Sequence, residues 1–308
     1  MKVLMYILYT PSPLFETELE IIKKHEAAGD DILVLTCKGS APVCHWNINH
    51  SPLFCSYCRS RFNNGIKVLK PGRNVQIEEF KIPLINKNLP SAKLHIDELK
   101  KWRWKESRLG LGIASSLISK NWRDHRLVLS TIPGKLKKEA QLSVGIFEAL
   151  EKKIKEFNPN KIILFNGRIS SATPAILLCE KYNIPYETYE VAGNQGKYLI
   201  RENSTPHSIP EAKKEIETLW NNGSSSKEEE AHAWFQERRK GVDQGIVSFT
   251  KNQKAGLLPD SFDTSKRNIV FFNSTIEEYA AIEGWENNLY TPDETAGVKD
   301  VLESFLDN

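Results

Sequence analysis

The chain has 308 residues, above the roughly 250–300 at which a single hydrophobic core tends to split, so we expect two structural units. Its 40% hydrophobic and 26% charged residues are typical of a soluble globular chain, and a net charge of +3 argues against nucleic-acid binding. The apolar N-terminal run ends in Pro-Ser-Pro, unlike a signal peptide, and no stretch approaches the roughly 18 apolar residues of a membrane span. We therefore expect a cytoplasmic protein whose five cysteines are thiols or metal ligands rather than disulfides.

The first 36 residues predict a strand, a helix and a second strand. An apolar run at 3–9 precedes a helical pattern at 16–28, and Gly29 ends that helix before an apolar run at 31–36. This order is typical of a Rossmann-like domain with a parallel sheet. No G-x-G-x-x-G follows the first strand, so a dinucleotide cofactor is not expected. Glu18 could face the ligand cleft as a general base, whereas acids early in a helix are more often solvated and complement the helix dipole.

Residues 37–58 form an unusual insertion with four cysteines, Cys37, Cys44, Cys55 and Cys58. Four soft ligands that include one C-x-x-C pair could close a tetrahedral structural zinc site and staple a loop too polar to pack unaided. Structural zinc sites usually contain two such pairs, so free or buried thiols are the alternative, and a redox-active C-x-x-C pair is a further one. Apart from this zinc, no cofactor is expected.

Three elements are predicted between this insertion and the middle of the chain. Residues 66–90 alternate weakly between apolar and polar positions, which predicts a hairpin or edge strands. A helix over 106–121 carries small residues, Gly112 and Ser116 among them, that permit the close approach of a backbone or a ligand. A second helix over 136–157 has apolar residues every three or four positions and is therefore amphipathic.

The segment 161–193 predicts a second β-α-β unit, with a strand at its start, a helix opened by Pro174 and a strand at its end. Such units cross over right-handedly between parallel strands, and ligands bind beyond the carboxyl ends of those strands. Asn166, Gly167 and Arg168 follow the first strand at this position. Gly167 allows a close turn, and Arg168 offers a fork of donors to a carboxylate or phosphate. The alternative is that Arg168 pairs with a neighbouring acid and Asn166 caps a turn.

A polar, turn-rich segment follows this unit and is expected to loop over the carboxyl edge of the sheet. Asn194, Lys197 and His207 are candidate ligand contacts there, although a lone histidine in a polar loop is usually only exposed. A turn-rich linker begins at Gly256. We divide the chain into a Rossmann-like domain over 1–255 and a shorter second unit over 256–308.

Several segments, in their order along the chain, resemble bacterial GT-B-type glycosyltransferases that build capsular and surface polysaccharides. FNGRISSATPAILLCEKYNIPYETYE is similar to the NGR segment in the N-terminal half of these enzymes. The supporting segments are ELEIIKKHEAAGDDILVLTC with the cysteines that follow, LGIASSLIS, WFQERRKG and LLPDSFDTSKRNIVFFNSTIEEYAAI. The resemblance extends over nearly the whole chain.

The resemblance implies that a sugar passes from a nucleotide-sugar donor to a glycan acceptor in a cleft between two Rossmann-like domains. It makes 1–255 the acceptor-side domain and 256–308 a linker with the truncated start of the donor-side domain. Helix N-termini and basic side chains, rather than a metal, would hold the leaving diphosphate. Arg168 would hold an anionic group, and Glu18 or Glu190 would be the base. The implied binding residues are Asn166, Gly167, Arg168 and Glu190 on the acceptor side and Ser274, Thr275 and Glu278 on the donor side.

The short second unit departs from this pattern. About forty residues follow the linker, whereas a full donor domain needs on the order of a hundred. We therefore expect a truncated or split transferase, or one that acts with a protein partner which completes the donor site. The alternative function is a non-catalytic sugar-binding or assembly subunit.

Overall fold

The computed structural model describes residues 1–121, 127–192, 196–240, 254, 256–258, 260, 262–268, 270, 281–282 and 294–305. Within these residues, six strands form one sheet: β1 (Lys2–Ile7), β2 (Asp31–Thr36), β3 (Val75–Glu79), β4 (Lys161–Phe165), β5 (Tyr186–Val191) and β6 (Tyr198–Glu202). Their spatial order is β3-β2-β1-β4-β5-β6. The first five are parallel, and β6 pairs antiparallel with β5. The predicted α/β class with a Rossmann-like parallel sheet is therefore confirmed.

The helices connect the parallel strands and cover the sheet. In chain order the described α-helices are α1 (Leu14–Ala27), α2 (Pro52–Leu69), α3 (Ile96–Lys101), α4 (Gly110–Asn121), α5 (Pro133–Phe157), α6 (Thr173–Tyr182), α7 (Ile209–Asn221), α8 (Ser225–Arg239) and α9 (Glu294–Ser304). None of them is both long enough and apolar enough to cross a membrane.

The core lies on both faces of the sheet. On one face, Phe15 and Ile22 of α1 and Phe62 of α2 pack with alternate residues of β1, β2 and β4. On the other, the apolar faces of α3 to α6 pack against the remaining strand residues, with Leu99 and Phe147 fully buried. Strands that are covered on both faces have continuous apolar runs in their sequences. This is why β1, β2 and β4 could be predicted.

Three predictions outside the central strands are corrected in part. The cysteine segment was expected to be a loop up to residue 58, but α2 begins at Pro52, so Cys55 and Cys58 lie in its first turns. Of the hairpin and edge strands expected over 66–90, the edge-strand alternative holds, because β3 runs parallel to β2 at the sheet edge. The polar segment after β5 was expected to be a loop, but it contains β6, which forms the opposite edge.

Candidate functional site

The strand order reverses between β1 and β4, and the carboxyl ends of these strands open at this point. Chain segments that leave adjacent strands on opposite sides of the sheet create a crevice there, which is where open α/β sheets bind ligands. Two groups of polar side chains meet this edge. One surrounds Glu18 on α1, and the other surrounds Asn166 after β4.

Glu18 is a buried carboxyl group in a small cavity at the crevice. Its residue is 3% exposed, and the Tyr189 hydroxyl donates a hydrogen bond to Oε1. Oε2 is buried and has no hydrogen-bond partner among the described residues. Burial raises the pKa of Glu18 to about 8, and the hydrogen bond from Tyr189 partly opposes that rise. The carboxyl therefore exchanges its proton near neutral pH, and its second oxygen lacks a hydrogen-bond partner in the described chain.

Aromatic rings and backbone carbonyls form the wall of this cavity. Its volume is about 10 Å³, and Tyr6, Tyr9 and Phe165 line it with Ser171. The Phe165 ring centroid lies 6.1 Å from that of Tyr9 and 5.7 Å from that of Tyr189. The Tyr6 hydroxyl donates to the Ser171 carbonyl at 2.7 Å and ties the end of β1 to the loop before α6. These packed rings keep water from Glu18.

The second group is built on the turn between β4 and α6. Asn166 and Gly167 have φ values of +63° and +92°, the left-handed region that Asn and Gly tolerate best. A Cβ at Gly167 would also lie 2.6 Å from Ile176 Cδ1, so a larger residue would have to displace the end of that side chain. The turn aims the Asn166 amide at Glu190 Oε2 (2.6 Å) and at His207 Nε2 (3.1 Å).

Glu190 and His207, the two partners of Asn166, both have shifted pKa values. Burial raises the pKa of Glu190, and hydrogen bonds from Asn166 and the Val191 amide oppose that rise. Burial, with the charge of Arg168, lowers the pKa of His207 to about 4. The imidazole is therefore neutral at physiological pH. Asn166, Arg168 and Glu190, which the resemblance groups on the acceptor side, are neighbours in the fold, and His207 lies with them.

Arg168 is hydrogen-bonded to α4, and the turn that carries it is linked to both α4 and α5. Its Nη1 donates to Ser115 Oγ at 3.0 Å, and its backbone N–H donates to Asn166 Oδ1 at 3.2 Å. Two residues further on, Ser170 accepts a hydrogen bond from Ser116 Oγ (3.0 Å) and donates to Glu139 at 2.5 Å.

Glu139 also forms a buried ion pair. Its Oε1 accepts from Lys120 Nζ at 2.5 Å, and the two side chains are 2% and 9% exposed. Buried charges that are paired and hydrogen-bonded fix geometry strongly, because losing either partner leaves a desolvated charge. The network locks the turn that carries Arg168 to two helices.

Glu18 and Glu190, the two predicted candidate bases, point to opposite faces of the sheet. Tyr189, the partner of Glu18, and Glu190 are consecutive in β5, where side chains alternate between faces. Both oxygens of Glu190 are engaged, Oε2 by Asn166 and Oε1 by the Val191 amide at 3.0 Å. Only Glu18 combines a raised pKa with an oxygen that lacks a partner in the described chain.

The remaining predicted site residues fall into two sets. Lys197 lies exposed in the turn between β5 and β6 and is not among the hydrogen-bond partners of Asn166. Asn194, Ser274, Thr275 and Glu278 lie outside the described residues. Tyr9, Tyr189 and Glu139 were not singled out from the sequence, because their roles depend on contacts between distant segments.

The four predicted metal ligands come together at the carboxyl ends of β1 and β2. Cys37, Cys44, Cys55 and Cys58 are free thiols that line one small cavity. As their side chains stand, the described part of the chain contains no group of three or more His, Cys, Asp or Glu residues arranged to hold a metal ion. On the other side of Cys37 and Cys58 lies a cavity of about 180 Å³ that includes the cationic side chains of Lys38 and Arg59.

Comparisons with known proteins give only distant similarities. No family model matches the chain, and no curated protein matches it. A teicoplanin-pathway deacetylase structure is 14% identical with a TM-score of 0.35, covering 62% of this chain and 67% of that one. The glycosyltransferase SsfS6 of Streptomyces sp. SF2575, in complex with thymidine diphosphate, is 12% identical with a TM-score of 0.25. That match covers 60% of this chain and 37% of the glycosyltransferase. Similarities this weak carry no argument about activity.

Proposed function

We propose that this chain is a glycosyltransferase of surface or capsular polysaccharide biosynthesis, whose residues 1–255 form the acceptor-side domain. The observation that carries the proposal is the buried Glu18 carboxyl at the crevice between β1 and β4. One of its oxygens has no partner in the described chain, and its pKa is about 8. Transfer to a hydroxyl needs a group of this kind, because the hydroxyl must lose its proton as it attacks.

Glu18 acts as the general base of the transfer. The rings that cover Oε2 in its cavity of about 10 Å³ must move apart to admit an acceptor hydroxyl. Oε2 then accepts the proton of that hydroxyl while the hydroxyl oxygen forms a bond to the anomeric carbon of the donor sugar. The bond between that carbon and the diphosphate oxygen breaks, and the nucleoside diphosphate leaves with the electron pair. A base with a pKa close to the working pH combines a useful ionised fraction with a strong drive for proton transfer.

The group around Asn166 binds the acceptor. The Arg168 guanidinium holds an anionic group of the glycan, and the neutral His207 ring and the Asn166 amide hydrogen-bond its hydroxyls. Glu190 orients the Asn166 amide rather than acting as the base, because both of its oxygens already accept hydrogen bonds. Gly167 keeps the turn close enough for this arrangement.

The donor side of the proposal rests on the resemblance alone. Residues 256–308 are assigned to the start of the donor-side lobe, where Ser274, Thr275 and Glu278 contact the nucleotide sugar. Asn194 and Lys197, in the polar segment after β5, remain candidate ligand contacts from the sequence and are not part of the resemblance. A protein partner completes the lobe, and helix N-termini with basic side chains hold the leaving diphosphate without a metal.

The experiment is a transfer assay with UDP-, GDP- and CMP-sugars and a panel of glycan acceptors, in which release of the nucleotide is measured. Glu18→Gln keeps the size of the side chain and removes the base, so turnover should fall about 10²- to 10⁴-fold. Glu20→Gln is the matched control, because Glu20 lies on the same helix and is exposed. It should retain wild-type turnover. Glu18→Gln turnover equal to that of wild type would refute the assignment of the base.

One observation favours the second candidate, a non-catalytic sugar-binding or assembly subunit. The helix α7, which follows His207 closely, exposes Ile216, Leu219 and Trp220. An exposed apolar helix face beside a ligand site is typical of a surface that binds another protein. This candidate predicts saturable binding of a glycan by calorimetry without release of nucleotide from any of the three donor classes. Turnover that depends on Glu18 would exclude it.

A further inference from the structure

We propose that Cys37, Cys44, Cys55 and Cys58 bind one structural zinc ion that fixes the 37–58 segment over the carboxyl ends of β1 and β2. All four residues line a single cavity of about 20 Å³. A volume of roughly 10–15 Å³ holds one water molecule. The space between the four cysteines therefore suits a single ion with its ligands drawn in around it.

Three different parts of the chain deliver these thiols to the cavity. Cys37 follows β2 directly, and its amide donates to the Ile7 carbonyl of β1 at 3.2 Å. Cys44 comes from the loop. Cys55 and Cys58 lie three residues apart in the first turns of α2, so they share one face of that helix. Electrostatic interactions link Cys44 with Cys37 and Cys58, and Cys58 with Cys37 and Cys55. The four groups thus form one connected set.

Each sulfur accepts at least one hydrogen bond, and donors around the ligands are a regular feature of metal centres. The donors are the Gly39 amide to Cys37 Sγ (3.3 Å), the backbone amides of Trp46 and Asn47 to Cys44, the Asn47 side chain to Cys55 Sγ (3.3 Å) and the Thr10 hydroxyl to Cys58 Sγ (3.3 Å).

The four cysteines complete a ligand set without the histidines of the segment. His45 is not among the residues that line the cavity. His50 lines it, and its Nε2 lies 2.6 Å from the Ala41 carbonyl oxygen and donates a proton to it. Four thiolates fill the four positions of tetrahedral zinc and leave none for a histidine.

Zinc binding requires a small local change. The four sulfurs must lie about 2.3 Å from one ion, and as the side chains stand no three residues of the described chain are arranged in that way. We expect rotation of the cysteine side chains into the cavity that they already line to bring the four sulfurs to this distance.

The zinc ion would also shape the candidate site without taking part in its chemistry. The segment that it closes carries Trp46, whose ring centroid lies 6.1 Å from that of Tyr9. Tyr9 lines the cavity of Glu18. A zinc ion bound by the four cysteines would therefore hold one wall of the Glu18 cavity in place.

The test is elemental analysis of the full chain purified without chelators. We expect one zinc per chain, and X-ray absorption should show four sulfur neighbours at about 2.3 Å. Cys55→Ser and Cys58→Ser should each lose the metal. Cys179→Ser is the matched control, because Cys179 is buried in α6 outside the cluster, and this variant should keep one zinc per chain.

Two further measurements on the wild-type chain do not depend on variants that fold. Removal of zinc by a chelator should lower Tm and expose four reactive thiols, and one equivalent of zinc should reverse both effects. A chain that lacks zinc and gains no thermal stability from it would overturn the proposal. Iron with acid-labile sulfide in place of zinc, or full zinc content in the Cys55→Ser variant, would overturn it equally. None of these outcomes depends on transferase activity.

Discussion

The protonation of Glu18 is set by a few neighbours that can be changed one at a time. Burial is the largest cause of its raised pKa, the charge of Glu16 adds to it, and the hydrogen bond from Tyr189 opposes it. The phenols of Tyr9 and Tyr189 have pKa values well above their usual range, so both remain neutral wherever Glu18 titrates. A single ionisation therefore governs the base.

Tyr189→Phe should move the pH profile of transfer to higher pH. The base is active as the carboxylate, so kcat/KM of the wild-type chain should rise with pH through about 8 and then level. Loss of the Tyr189 hydrogen bond removes an interaction that favours the carboxylate, so the pKa of Glu18 rises further. The rising limb of the pH profile should shift to higher pH. At the alkaline end of the profile, activity should recover toward the wild-type value.

Tyr198→Phe provides the control for this shift. Tyr198 lies on the neighbouring strand β6, and its hydroxyl contacts the exposed Glu20 rather than Glu18. Removing the hydroxyl of Tyr198 should leave the rising limb of the pH profile at its wild-type position. If Tyr189→Phe lowers activity equally at every pH, its hydroxyl acts on structure alone and the link to Glu18 is wrong.

The sequence identified residues whose local context is distinctive and missed those defined by distant contacts. Asn-Gly-Arg after an apolar strand predicts a turn at a ligand edge, and the structure places that turn there with the expected left-handed backbone. The partnership of Tyr189 with Glu18 joins residues 171 positions apart, and that of Ser170 with Ser116 spans 54. No local pattern reports such pairs, because they depend on which helix covers which face.

The helix α2 shows how packing overrides a local signal. Asn63, Asn64 and Gly65 form a sequence typical of a turn, yet they lie inside the helix. A Cβ at position 65 would overlap the Phe15 ring of α1, so glycine permits the two helices to approach closely. Phe62 is the one buried residue in the span of α2, which leaves little periodicity to read from sequence.

Glycine plays the same part where α4 meets the turn after β4. Gly112 packs against Thr173, and a Cβ at position 112 would overlap the Thr173 side chain. Gly112→Ala should therefore destabilise the protein by about 1–3 kcal/mol through overpacking. The denaturant midpoint in urea measures this change, and an unchanged m-value would show that the unfolding transition is otherwise the same.

The matched control for that substitution is Gly134→Ala in α5. A Cβ at Gly134 would meet nothing within 4 Å. Alanine favours the helix and restricts the unfolded chain, so this variant should be as stable as wild type or more stable by up to about 1 kcal/mol. Equal stabilities for the Gly112 and Gly134 variants would contradict the close packing between α4 and the turn.

The described part of the molecule is a mostly parallel sheet with well-covered faces, and the helices α7 and α8 add little to its core. The central strands were predictable because both of their faces are buried. For the edge strand β3 the sequence left a hairpin open as an alternative, and β6 was expected to be a loop, because each pairs on one side and alternates with solvent. The helices α7 and α8 have no buried residues. Sequence periodicity predicts helices such as α7 and α8, but it does not show whether they pack against the rest of the chain.

Polar substitutions on the apolar face of α7 should therefore leave global stability unchanged. Ile216 is 66% exposed and Trp220 is 85% exposed. The double variant Ile216→Ser, Trp220→Ser should unfold within about 0.5 kcal/mol of wild type, as is usual for surface positions. Phe147→Ala, at a fully buried position in α5, should cost about 3–5 kcal/mol in the same urea titration. A loss above about 1 kcal/mol in the α7 double variant would mean that residues of this chain cover that face. Such a loss would remove the observation that favours an assembly subunit.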